Sequence, residues 1–122
     1  MKIINYHNQE NSIKVKIEIN GIELWKYSYM ADEPFNNSPK LHKIPIHELG
    51  KAINLDRDAH YWKIYLANYN DVNKEVEVSI KWFEQEIEIA CWIPEEADDN
   101  GKVIVKANAG IEITDSSYFL KS

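Results

Sequence analysis

Apolar and polar residues alternate along most of this chain, the period-two signature of β-strands with one buried face. The clearest run sets Ile13, Val15, Ile17 and Ile19 against Lys14, Lys16 and Glu18, and Asn20-Gly21 follows at once. Asn-Gly readily takes the positive φ angles of a two-residue hairpin turn. The pattern therefore predicts a hairpin returning through Ile22, Leu24, Trp25, Tyr27 and Tyr29. In that register Ile19 faces Ile22 and Ile17 faces Leu24. The other face sets Lys16 beside Trp25, Lys14 beside Tyr27 and Glu18 against Glu23.

A loop is expected from Ala31 to Lys40, which carries Pro34, Pro39 and the run Asn36-Asn37-Ser38. One short helix is predicted near 45–54. Ile46, Leu49 and Ile53 fall on one helical face, Pro45 suits the first position, and Glu48 complements the early dipole. Gly50 limits it to two or three turns.

Residues 61–70 read as a long strand, with Trp62, Ile64 and Leu66 on one side and Tyr61, Lys63, Tyr65 and Tyr69 on the other. A second hairpin follows. Val76, Val78, Ile80 and Trp82 hold even positions, whereas Ile87, Ile89, Cys91 and Ile93 hold odd ones. Closure near Glu84-Gln85 pairs even with odd, so that Trp82 faces Ile87 and Val78 faces Cys91. Glu75, Glu77, Ser79 and Lys81 then share the opposite face with Glu86, Glu88, Ala90 and Trp92. An acidic turn-rich loop, Pro94 to Gly101, precedes short strands at 103–105, 111–113 and 118–120. With 122 residues in one domain (1–122), the expectation is mostly β: an antiparallel β-sandwich or partly closed barrel of about seven to nine strands.

Composition narrows the function classes. At 44% hydrophobic and 28% charged the chain belongs with ordinary globular proteins. No apolar run approaches the length of a membrane-spanning helix, and no membrane partner is expected. Met1 to Tyr6 reads as a strand rather than a signal peptide. Cys91 is the only cysteine, which excludes an internal disulfide framework and fits a reducing compartment; the expectation is cytoplasmic. Twenty acidic against fourteen basic residues give a net charge of −6, with Arg57 the only arginine. That balance argues against a nucleic-acid partner, because phosphate contacts need clustered bases.

The search for chemistry returns no catalytic constellation and calls for no metal or cofactor. His7, His42, His47 and His60 show no helical i, i+4 metal-binding pair, and a single cysteine cannot build a Cys-rich site. In Asp56-Arg57-Asp58-Ala59-His60 an extended segment would bring two carboxylates and an imidazole together, but the further ligands a metal site needs are missing. The predicted hairpin register turns Cys91 into the core. Glycines 21, 50, 101 and 110 form no phosphate-binding loop.

Two surface features remain. Glu75, Glu77, Glu86 and Glu88 share a hairpin face with Trp92, an aromatic anchor among carboxylates that suits a basic partner. The first expectation is therefore a non-enzymatic protein-binding module. Its most concrete form is an acidic inhibitor or immunity-type protein that masks a basic partner such as a nuclease toxin. The alternative is a carbohydrate- or small-ligand-binding β-sandwich with Trp25, Tyr27 and Tyr29 as an aromatic platform. The third is a structural or assembly subunit that associates through unpaired strand edges.

Overall fold

The alternating segments form two facing β-sheets in the computed structural model, which describes residues 2–30 and 45–122 except the side chains at 116 and 117. In chain order the strands are β1 (Lys2–Asn5), β2 (Ser12–Asn20), β3 (Leu24–Tyr29) and β4 (Ile46–Lys51). A single helical turn, α1 (Ala52–Leu55), leads to β5 (Ala59–Asn68), β6 (Lys74–Glu84) and β7 (Ile87–Trp92). The last are β8 (Lys102–Val105) and β9 (Ala109–Lys121). One sheet has the order β1-β9-β5-β3; the other runs β4-β2-β6-β7, with β8 also paired to β6. The fold is mostly β, a sandwich rather than a closed barrel. Among the described residues no helix is long and apolar enough to cross a membrane.

Alternation places the core as expected. Ile13, Val15 and Ile17 of β2 and Val76, Val78, Ile80 and Trp82 of β6 are all buried, opposite Trp62, Ile64 and Leu66 of β5. The centre is aromatic: the rings of Trp82 and Tyr118 stack at 5.2 Å, and Trp62 meets Trp92 edge-on at 5.0 Å. Buried aromatic pairs of this kind add to the area they remove from water.

Three expectations are corrected. β2 and β3 do not form a hairpin: β2 pairs with β4 and β6, whereas β3 pairs with β5 in the other sheet. Gly21, at φ +103°, passes hard against the main chain of Glu75 and Val76, so the chain crosses between sheets there. The expected Lys16–Trp25, Lys14–Tyr27 and Glu18–Glu23 neighbours therefore do not form. Glu18 instead takes Lys16 at 3.0 Å and Lys81 at 3.6 Å.

The helix near 45–54 is largely strand. β4 lies antiparallel on β2, and helix follows only over Ala52–Leu55. Gly50, at φ +100°, sits where the β2–β4 register shifts by a residue. Pairing with β2 satisfies the backbone of a segment too short and too glycine-interrupted to hold a helix alone. Ile46 and Ile53 are exposed in this arrangement.

The sheets are not wholly antiparallel either. The two predicted strands at 111–113 and 118–120 merge into the long β9, and β1 pairs with it in parallel. The expected loop at 31–40 and His42 lie outside the described residues.

Candidate functional site

The β6–β7 hairpin forms as expected, but its register is not the expected one. Gln85 and Glu86 make a two-residue turn, with Gln85 at φ 56° and Glu84 opposite Ile87. Between Trp82 and Phe83 the ladder shifts by one residue, so Trp82 faces Ala90, Lys81 faces Cys91 and Ile80 faces Trp92. An extra residue in one strand of a pair exchanges the faces of everything beyond it. Cys91 is thereby turned out of the core to an exposed position, and Trp92 is turned in.

Trp92 is therefore not an anchor on the acidic face. It is 3% exposed, and its Nε1–H donates to Asp115 Oδ2 on β9 at 2.8 Å. The four glutamates do lie outside. Glu75 and Glu77 project from the outer face of β6, Glu86 from the turn and Glu88 from β7. Three have lysine partners: Lys102 for Glu77, Lys14 for Glu86 at 3.0 Å, and Lys81 for Glu88 at 3.9 Å. The hydrogen bond from Lys102 holds the Glu77 carboxyl below its usual range.

The charge balance is sharply localised. Phe83 to Gly101 contains Glu84, Glu86, Glu88, Glu95, Glu96, Asp98 and Asp99 and no Lys, Arg or His. The rest of the chain holds 13 acidic and 14 basic residues, so the net negative charge belongs to this segment. Of the segment's carboxylates only Glu84 is buried. The same segment exposes Ile87 (69%) and Ile93 (52%), and Ile104 is exposed on β8 nearby. Ile93 was not legible as a surface residue, because the parity that assigned it to the core reverses at the bulge. Ile87 lies on the turn side of the bulge, opposite Glu84, and is exposed at the end of the hairpin.

β7 and β8 lie end to end along the same side of β6. The gap between them opens a cleft of about 250 Å³ lined by Glu18, Glu77, Ser79, Lys81, Cys91 and Ile93. Partial desolvation, together with the Glu88 carboxylate, pushes the Cys91 thiol up from its ordinary value. That is the opposite of what an activated thiolate requires.

The aromatic platform does not form. Tyr27 (5% exposed) and Tyr29 (7% exposed) point into the core, and Trp25 is half-buried against it. Tyr27 Oη lies 2.8 Å from His47 Nε2, and the Tyr29 hydroxyl bonds His60 Nδ1 while accepting the Trp82 indole N–H at 2.9 Å. Burial lowers His60 to about 4 despite the opposing effect of Asp58. The other tyrosine stripe lies partly outside: Tyr61 and Tyr65 are half-buried and Tyr69 is exposed.

The Asp56–His60 segment does not converge. Asp56 accepts the Tyr6 hydroxyl at 2.6 Å, Arg57 turns through φ 66°, and His60 is fully buried. Among the described residues no group of three His, Cys, Asp or Glu side chains is placed to hold a metal ion. No family model, curated protein or solved structure matches this chain.

Proposed function

We propose that this protein is a non-enzymatic binding module for a basic protein partner, and that its contact surface is β7 with its flanking turn and loop. The observation that carries this reading is the coincidence of charge and apolar exposure. The segment that holds the net negative charge also exposes Ile87 and Ile93. Carboxylates at the rim steer a cationic surface into place, while desolvated apolar side chains hold it there. The anchors are these isoleucines, in place of the buried Trp92. The most concrete form is an inhibitor acting in a reducing compartment such as the cytoplasm, masking the cationic surface of a protein such as a nuclease toxin.

Capture from the lysate of the source organism tests this reading. The wild-type chain is compared with a Glu86→Gln, Glu88→Gln, Glu95→Gln, Glu96→Gln variant at low and high salt. The expected result is one basic protein retained stoichiometrically by the wild type, released by salt and lost by the variant. Identical retention by both proteins would remove the acidic segment as the contact surface.

A further inference from the structure

Among the described residues β7 is an edge strand paired only with β6, with β1 of the other sheet close by, and the direction of its peptide groups follows from the ladders. The amide of Ile17 donates to the Pro45 carbonyl (3.0 Å), so the peptide groups of Ile17 face away from β6. Alternation then turns those of Lys16 and Glu18 toward β6, where they meet Lys81 and Ser79. Ile80 and Trp82 consequently direct their N–H and C=O groups to β7, and their partners there are Trp92 and Ala90. The amide of Gln85 donates to Ser12 on β2 (2.9 Å), which fits the same parity.

The N–H and C=O of Cys91, between Ala90 and Trp92, therefore point to the open side of the sheet. The collinear β8 differs. At Lys102 its outward groups are already occupied, the C=O by the Asp98 amide (2.8 Å) and the N–H by the Asp98 carboxylate (2.9 Å). Among the described residues, no main-chain hydrogen bond from another segment reaches Cys91. Among the described residues the free edge of β7 is thus centred on Cys91, with Glu86 and Glu88 at one end and Ile93, Glu95 and Glu96 at the other.

We propose that an extended, cationic segment of the partner adds to β7 as a further strand, with main-chain hydrogen bonds to Cys91. This rests on the proposed function and specifies how the partner is held. Strand addition supplies affinity through the backbone, and specificity through alternate side chains. The charge selects the occupant. Lysine or arginine near the ends of the incoming strand meets the carboxylates, and small or β-branched residues fit beside Cys91. A second copy of this chain would instead bring the two acidic segments together, at a cost in like-charge repulsion.

The probe is an alternating Lys-Val octapeptide with blocked termini, compared with its fully backbone-N-methylated analogue, which keeps the lysine charges but lacks the backbone N–H donors. Binding is followed at low salt by hydrogen exchange at the Cys91 amide. The expected result is exchange slowed about tenfold or more by the plain peptide and unchanged by the methylated one. Equal binding of both peptides, or salt-sensitive binding without protection at Cys91, would overturn strand addition and leave the acidic contact surface standing. No binding of either peptide would overturn both readings. Protection at Cys91 that rises with protein concentration alone would identify a second copy as the occupant and overturn the proposal.

Discussion

Trp92 and Asp115 tie the edge strand β7 to the opposite sheet: the indole Nε1–H donates to the carboxylate at 2.8 Å, beneath the exposed Cys91. One side chain thus fixes which face β7 turns inward, and with it the outward presentation of the acidic edge. Trp92→Phe keeps much of the apolar volume and removes the donor. Because the acceptor is ionised, the expected loss of stability is about 1–3 kcal/mol, read from urea denaturation. Faster amide exchange in β7 than in β2 should accompany it. An unchanged denaturation midpoint would show that the bond does not fix this strand.

Acid should weaken the fold in two stages. Burial lowers the folded-state value of His60 from 6.5 to about 4, so the unfolded chain binds its proton more readily. Its contribution is complete above 6.5 and is lost as pH falls from there toward 4. Glu84 acts lower. Burial alone would raise its carboxyl, but hydrogen bonds from the His7 and Asn8 amides, then from the Asn11 and His7 side chains, outweigh burial and bring it to about 2. That contribution is present above 4.5 and lost as pH falls toward 2. Glu84→Gln should cost about 2 kcal/mol at neutral pH and flatten the lower stage. His60→Gln should flatten the upper one. Denaturation across the pH range distinguishes them, and an unaltered profile in either variant would refute its assignment.

Gly21 should tolerate no side chain. Its φ of +103° disfavours an L residue, and an added Cβ would collide with the main-chain carbonyl of Glu75. Gly21→Ala is expected to destabilise by more than about 2 kcal/mol, since the obstacle is backbone that cannot rotate aside. The Gly101→Ala comparison, where a Cβ meets open space, should be milder. Thermal melts of the two variants suffice, and equal melting temperatures would contradict the crossing geometry at Gly21.

What was legible in the sequence was which residues face inward, wherever alternation runs unbroken. Ile13, Val15 and Ile17, and likewise Val76 through Trp82, reach the core on that pattern alone. Strand neighbours were not legible, because period two says nothing about which strand lies alongside. Asn20-Gly21 supplied turn chemistry, and the chain used it to change sheets. In β7 one bulged residue reversed the parity, exchanging Trp92 with Cys91 and leaving Ile93 exposed, whereas Ile87 keeps its parity and is exposed at the turn end. The acidic segment was visible as composition. Its place on an open sheet edge depended on long-range pairing with β6.

The most direct test of the central claim is the salt dependence of association between this chain and the basic partner it captures. The variants are Glu86→Lys, Glu88→Lys and, separately, Ile87→Ser, Ile93→Ser. Charge reversal is expected to weaken binding about tenfold or more at low salt and to flatten its slope against salt concentration. The serine pair should weaken binding while leaving the slope unchanged. Wild-type affinity and slope in both variants would place the contact elsewhere on the molecule and contradict the account.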